Sequence, residues 1–199
     1  MKSRRVMAIR AGAAPVAVLL VLGIVWWQCP KPSLYPDSIT FSRGLEDREG
    51  ALVHLALTSD GKYRLRTALA DISPAMIKVT LALEDQHFRD HPGINPWSII
   101  RAMWGVVSGT RQGGGSTITM QLARLRWQLK TTSLFGKATQ MLRALQLERH
   151  YSKNELLEAY FNLAPYGGNV EGVGAASVMG GGKSVRELHL RGAGPAAGG

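Results

Sequence analysis

Two adjacent carboxylates, Glu84 and Asp85, fall in a stretch whose apolar residues recur at helical spacing. Ile77, Leu81 and Phe88 occupy i, i+4 and i+11 of one stripe, and Glu84 occupies i+7 of the same stripe. The pattern turns a carboxylate toward the core side, where burial raises a carboxyl pKa and suits the group to act as general base or acid. A glutamate at the rim of the stripe, paired with an arginine, fits the pattern equally. Asp85 is close enough to raise the pKa of whichever group of the pair holds the proton. His87 and His91 are four apart, like two metal ligands on a helix face, but Phe88 stands where a zincin has its glutamate and Pro92 ends the helix at the second histidine. A structural or substrate-contacting role is therefore expected of His91, and no metal-ligating set is expected.

A second segment, Gln112, Gly113, Gly114, Gly115, Ser116 and Thr117, leads into an amphipathic helix marked by Ile118, Leu122, Leu125 and Leu129. Backbone N–H groups at such a helix start, approached closely through glycine, can receive a phosphate. No Gly-Lys-Ser/Thr follows, so this is not a P-loop, and a plain flexible loop is the competing reading. Arg124, Lys137 and Arg143 add positive charge on the helices that follow, either for an anionic ligand or as a solvated basic face. The chain carries 24 Lys+Arg against 14 Asp+Glu, a formal charge of +10, which favours a negatively charged partner. No groove-reading or base-stacking module is apparent, so nucleic acid is not the expected partner.

The elements that must position these groups are mostly helical. Ser73 with Pro74, Asn95 with Pro96, and Ser116 each have the form of a helix start, and Ser152 with Glu155 has capping-box spacing. Two β-like runs, Leu52 to Leu57 and Tyr63 to Arg66, joined across Asp60 and Gly61, predict a small hairpin. Ahead of them, residues 11–27 form a 17-residue uncharged run, preceded by Lys2, Arg4, Arg5 and Arg10 and closed by Trp26 and Trp27. At about 1.5 Å per residue it nearly crosses a hydrocarbon core of about 30 Å, and its basic flank places the N-terminus in the cytoplasm. The run Trp26, Trp27, Gln28 and Cys29 lacks the small residues of a signal-peptide cut, and bulky Trp27 with polar Gln28 disfavours lipidation at Cys29, the single cysteine. The expected organisation is a basic tail at 1–10, a transmembrane anchor at 11–28, a proline-rich linker and hairpin at 29–72, a helical domain at 73–184, and an atypical glycine-rich end at 185–199.

Taken together, the segments resemble the glycosyltransferase domain of class A penicillin-binding proteins. Glu84, Asp85, Phe88, His91 and Gly93 match the family's first motif, and Gly114 through Gln121 match the second. Lys137, Arg143 and Glu148 follow the third. Ser152, Lys153, Leu157, Glu158, Tyr160 and Asn162 follow the fourth, and Gly172, Val173, Ala175, Ala176, Gly182 and Lys183 the fifth. Asp47 to Gly50 resembles the short signature ahead of the domain. Asn162 to Asn169 and Arg143 to Glu148 look most like the 1C branch.

The resemblance implies a mainly α, lysozyme-like fold with a small β-hairpin, behind one transmembrane helix. It implies polymerisation of lipid II into β-1,4-linked glycan by inverting transfer from a lipid pyrophosphate, with Glu84 as general base. Asp85, Phe88, His91, Ser116, Thr117, Gln121, Arg124, Lys137 and Gln140 are the residues expected to contact substrate or pyrophosphate. Mg²⁺ is the expected helper ion, without an organic cofactor. The implied partners are lipid II, the growing glycan strand, the membrane and other cell-wall synthesis proteins. The implied location is the bacterial inner membrane, single-pass, with the domain on the periplasmic side.

Departures from the pattern are specific. Gln140 stands in place of a second catalytic glutamate, as in the 1C branch, and can hydrogen-bond without titrating. Gly136 replaces an arginine, Arg124 a lysine and Leu125 an asparagine, and Met179, Gly180 and Gly181 replace an aromatic pair. Glu158 is expected to be structural. The glycine-rich end predicts a truncated domain and leaves a non-catalytic fragment that binds lipid II or cell-wall partners as one alternative. A muramidase-type hydrolase is the other, although it has no use for the cations around Gly114 to Thr117 and lacks an obvious second carboxylate.

Overall fold

The structure is a computed structural model that describes residues 23, 28–49, 52–97, 100 and 115–180. The chain divides into two compact units, Met1–Pro32 and Ser33–Gly199. The expected anchor lies, apart from Gly23 and Gln28, outside the described residues, as do Gln112, Gly113, Gly114, Gly182, Lys183 and the glycine-rich end. Among the described residues no helix is long and apolar enough to cross a membrane.

The second unit is mainly helical. After a short ribbon of β1 (Gly44–Glu46) and β2 (Leu52–Leu55), a 3-10 turn at Leu69–Asp71 leads into α1 (Pro74–Glu84). Then come α2 (Ile118–Trp127), α3 (Leu134–His150) and α4 (Lys153–Leu163). A second ribbon, β3 (Pro165–Gly167) with β4 (Val170–Glu171), precedes α5 (Val173–Met179).

The helix starts have local causes. Ser73 occupies the cap position of α1 with Pro74 at the first helical position, where the missing N–H removes no helix bond. Ser152 and Glu155 form the expected capping box of α4, each side chain satisfying the other residue's backbone N–H. Ser133 caps α3 by accepting from the Gly136 N–H. At α2 the cap is Thr117, which accepts from the Met120 N–H. Ser116, expected in that role, lies one position too early and uses its hydroxyl elsewhere.

The core is built on α2, packed against α3 and α4. Ile118, Met120, Leu122, Leu147, Leu156, Leu157 and Phe161 are fully buried there. Phe88 and Ile72 join the same cluster from either side of α1.

Two expectations need correction. The strand at Leu52–Leu55 pairs antiparallel with Gly44–Glu46, in the register Gly44 opposite Leu55, and not with Tyr63 to Arg66. The chain does turn at Gly61, whose φ is +73°, but Tyr63 bridges to Val170. Arg64 explains the choice: its buried guanidinium bonds both Asp60 and Glu171, drawing the segment toward β4. The helix through Glu84 also ends earlier than its apolar stripe suggests. Asp85 leaves helical geometry at φ −162° and ψ 79°, and Phe88 reaches the core through a turn, its N–H bonded to the Asp85 carbonyl.

Candidate active site on the first turns of α2 and α3

Because α1 stops at Glu84, that side chain stands at a helix end and is exposed, not turned into the core. Its partner is no arginine: Glu84 Oε2 accepts from the Gln121 amide at 2.7 Å. One turn further along α2, Arg124 is exposed. From the first turn of α3, Lys137 donates to Ser116 Oγ at 2.6 Å. Partial burial, followed by the charge of Arg124, pushes the Lys137 pKa down from the usual lysine range. A half-buried lysine repelled by an exposed arginine can receive an anion, which would relieve the repulsion and raise that pKa again.

Tyr160 of α4 completes this face and enters the sequence reading only as a motif residue. Its phenol is pushed up, first by burial and then by the negative charge of Glu84, with Arg124 opposing. The hydroxyl therefore stays protonated beside both the carboxylate and the cation. No spacing rule links residues 84 and 160, so only the chain fold reveals the proximity.

The neighbouring residues form a second, buried assembly. Both Asp85 oxygens lie 3.0 Å from His91 Nε2, and Oδ2 also accepts from the Ile118 N–H at 3.1 Å. His91 Nδ1 accepts from the Gly93 N–H at 3.1 Å, so Nε2 carries the ring proton and donates it to Asp85. Thr117 Oγ1 donates to the Gly93 carbonyl at 2.6 Å. Gly93 has φ +87°, and a Cβ there would meet Glu148 Cγ at 2.6 Å, so glycine is required on both counts. Phe88, 1% exposed, packs edge-on to the His91 ring, with the Lys153 ammonium 4.6 Å above its own ring.

Of the expected phosphate receptor at the start of α2, Gln112, Gly113 and Gly114 lie outside the described residues, and two of the helix's own N–H groups are already used. The Ile118 N–H is taken by Asp85 and the Met120 N–H by Thr117, so the anion at that helix end is the chain's own carboxylate. Gln140 is also internal: it is 2% exposed, and its amide donates to the Met120 carbonyl at 2.7 Å. Of the expected site residues, Glu84, Gln121, Arg124, Lys137 and Ser116 share the accessible face. Asp85, Phe88, His91, Thr117 and Gln140 lie behind it.

The other carboxylates of the motifs are structural by contact. Glu148 accepts from Thr119 and Lys153, and Glu158 from the Leu69 N–H. Arg143 stacks over Trp127 at 5.0 Å and bonds Gln146. Among the described residues no group of three or more His, Cys, Asp or Glu side chains could hold a metal ion.

A helical unit carrying one exposed carboxylate beside converging cations defines a class, and the sequence comparisons identify it. The family model for transglycosylases matches residues 50–197, and the chain belongs to that family. It is 39% identical over 163 residues to penicillin-binding protein 1C of Escherichia coli (strain K12), covering 81% of this chain and 20% of that protein. Penicillin-binding protein 1A of Haemophilus influenzae is 38% identical over 142 residues, covering 67% of this chain and 17% of its own. The Escherichia coli penicillin-binding protein 1A is 38% identical over 130 residues, or 65% and 15% of the two chains. The chain thus spans between 15% and 20% of the length of these relatives.

Proposed function

We propose that the protein is a peptidoglycan glycosyltransferase that extends glycan from lipid II. The observation that carries the reading is the convergence of Glu84, held by Gln121, with the cations Arg124 and Lys137. In the reaction, the acceptor sugar's 4-hydroxyl attacks the anomeric carbon of the sugar on the lipid pyrophosphate, with inversion from α to β. Glu84 takes the hydroxyl proton as the new C–O bond forms. The bond to the pyrophosphate breaks on the opposite face, and the departing anion gathers negative charge where Lys137 and Arg124 stand. Ser116 aims Lys137, and Gln121 aims Glu84. The Tyr160 hydroxyl is a further donor in this space.

A divalent cation such as Mg²⁺ fits as a companion of the substrate. Mg²⁺ usually keeps several waters and binds largely through substrate phosphates, which leaves Glu84, the one exposed carboxylate of this face, free for the proton. Bound to the pyrophosphate it would neutralise part of the leaving group's charge.

We read the helical unit as lysozyme-like, held by residues 11–28 as a single anchor at the outer face of the bacterial cytoplasmic membrane. Leu134 and Phe135, 92% and 83% exposed beside Lys137, give the site an apolar rim suited to a lipid-linked substrate. A muramidase would need a second working carboxylate, and Asp85 is committed to His91 and Ile118.

The test is polymerisation of labelled lipid II by the detergent-solubilised full chain with Mg²⁺, alongside Glu84→Gln. Glycan from the parent and none from the variant is the expected result. Lipid II binding without product from either would leave a substrate-binding protein in place of an enzyme.

A further inference from the structure

Gln140 is the residue that the motif comparison places in the site and the geometry takes out of it. It lies on α3, three residues after Lys137, and is 2% exposed. Its Nε2 sits 2.7 Å from the Met120 carbonyl in the first turn of α2, a carbonyl that is itself fully buried. A carbonyl accepts only, so the side chain facing it must donate, which fixes the amide orientation chemically. Its Oε1 is buried with no partner among the described residues, so the position uses the donor and not the acceptor. An ionised glutamate here would set two acceptors against each other in a dry place.

The two helices joined by this bond carry the accessible face. Lys137, one turn before Gln140, bonds Ser116, and Gln121, next to Met120, bonds Glu84. We propose that Gln140 is a positioning residue whose buried amide bond holds the first turn of α2 to the second turn of α3, one turn beyond Lys137, and so fixes the spacing between Lys137 and the Glu84–Gln121 pair. It replaces a titrating group by a tie, and Glu84 is left as the carboxylate of the reaction. The part concerning turnover rests on the polymerase reading above; the tie itself does not.

The variants are Gln140→Glu and Gln140→Met, studied in the full detergent-solubilised chain from pH 5 to pH 9. In Gln140→Glu the protonated carboxyl can still donate to Met120, and the ionised one cannot. The unfolded chain ionises the new carboxyl at about pH 4.3, before the buried site does, so the Tm deficit against the parent grows as pH rises above about 4. We expect it to exceed about 4 °C at pH 9 and to shrink by more than half at pH 5. Relative to the parent, kcat with lipid II falls at least about tenfold at pH 9, with KM changed less than about twofold, and recovers as pH is lowered. Gln140→Met loses the donor at every pH, so its deficits in Tm and kcat are flat.

A Gln140→Glu variant as active as the parent or better across the range, with a Tm deficit independent of pH, would overturn the proposal and return position 140 to the chemistry. If the parent makes no glycan the polymerase reading fails, and the course of Tm with pH still decides the tie.

Discussion

Glu84 and Asp85 are neighbours of the same chemical type with opposite fates, and so are Ser116 and Thr117. The first of each pair faces the accessible site: Glu84 is held by Gln121, and Ser116 holds Lys137. The second of each pair is buried in the assembly with His91 and Gly93, where Asp85 serves the Ile118 N–H and Thr117 caps α2. One strip of the molecule is thus an accessible face with few partners. The strip directly behind it has its hydrogen bonds satisfied. The contrast teaches that a carboxylate can stay exposed and lightly held because its neighbour locks the backbone on which it stands.

The largest effects should separate the two carboxylates. Glu84→Gln should lower polymerisation about 10²- to 10⁴-fold, the range of general-base catalysis, with Tm nearly unchanged because the side chain is exposed. Asp85→Ala should instead destabilise by about 2–5 kcal/mol, since it leaves the His91 and Ile118 N–H groups buried and unpaired. Denaturant unfolding of both variants checks this, and equal destabilisation would erase the contrast.

The hydroxyl pair should divide the same way on a smaller scale. Thr117→Val removes a helix cap and the bond to Gly93, and should lose about 1–2 kcal/mol of stability. Ser116→Ala should leave stability within about 0.5 kcal/mol and lower kcat about tenfold through a less well aimed Lys137.

The smallest effect belongs to a region remote from both. Asp60 has its pKa lowered to about 2, chiefly by hydrogen bonds from Arg64 and then Thr58. A depressed carboxyl stabilises the fold above its unfolded value of 3.8 and loses that contribution as pH falls toward 2. Asp60→Asn should therefore flatten the acid limb of a Tm–pH curve slightly, the carboxylate being 40% exposed and screened. A shift as large as that of Asp85→Ala would show that the β-ribbon, and not the α1–α2 junction, anchors the unit.

Much was legible locally. The Ser152–Glu155 box, Pro74 at the start of α1 and the structural assignment of Glu158 follow from short-range rules or motif position. The ribbon partner of Leu52–Leu55 did not, because Arg64 answers to Glu171, 107 residues away. Nor did the exposure of Glu84: Ile77, Leu81 and Phe88 of its stripe do pack on the core, but periodicity assumes that the helix continues, and Asp85 ends it by turning to His91 and Ile118. Tyr160 was hidden for a similar reason, since burial beside Glu84 depends on how α4 is set against α1.

By itself the sequence determined the order of the motifs, the helix starts, the surplus of positive charge and the presence of a carboxylate beside a second one. These rest on residue types and on separations of a few positions, where backbone geometry alone relates the groups. Only the tertiary structure decided which carboxylate is exposed, which hydroxyl caps α2 and that Gln140 donates inward to Met120. Each of those outcomes turns on a buried polar group finding its partner 20 to 33 residues away, and the burial that makes such a partner obligatory exists only once the helices have packed.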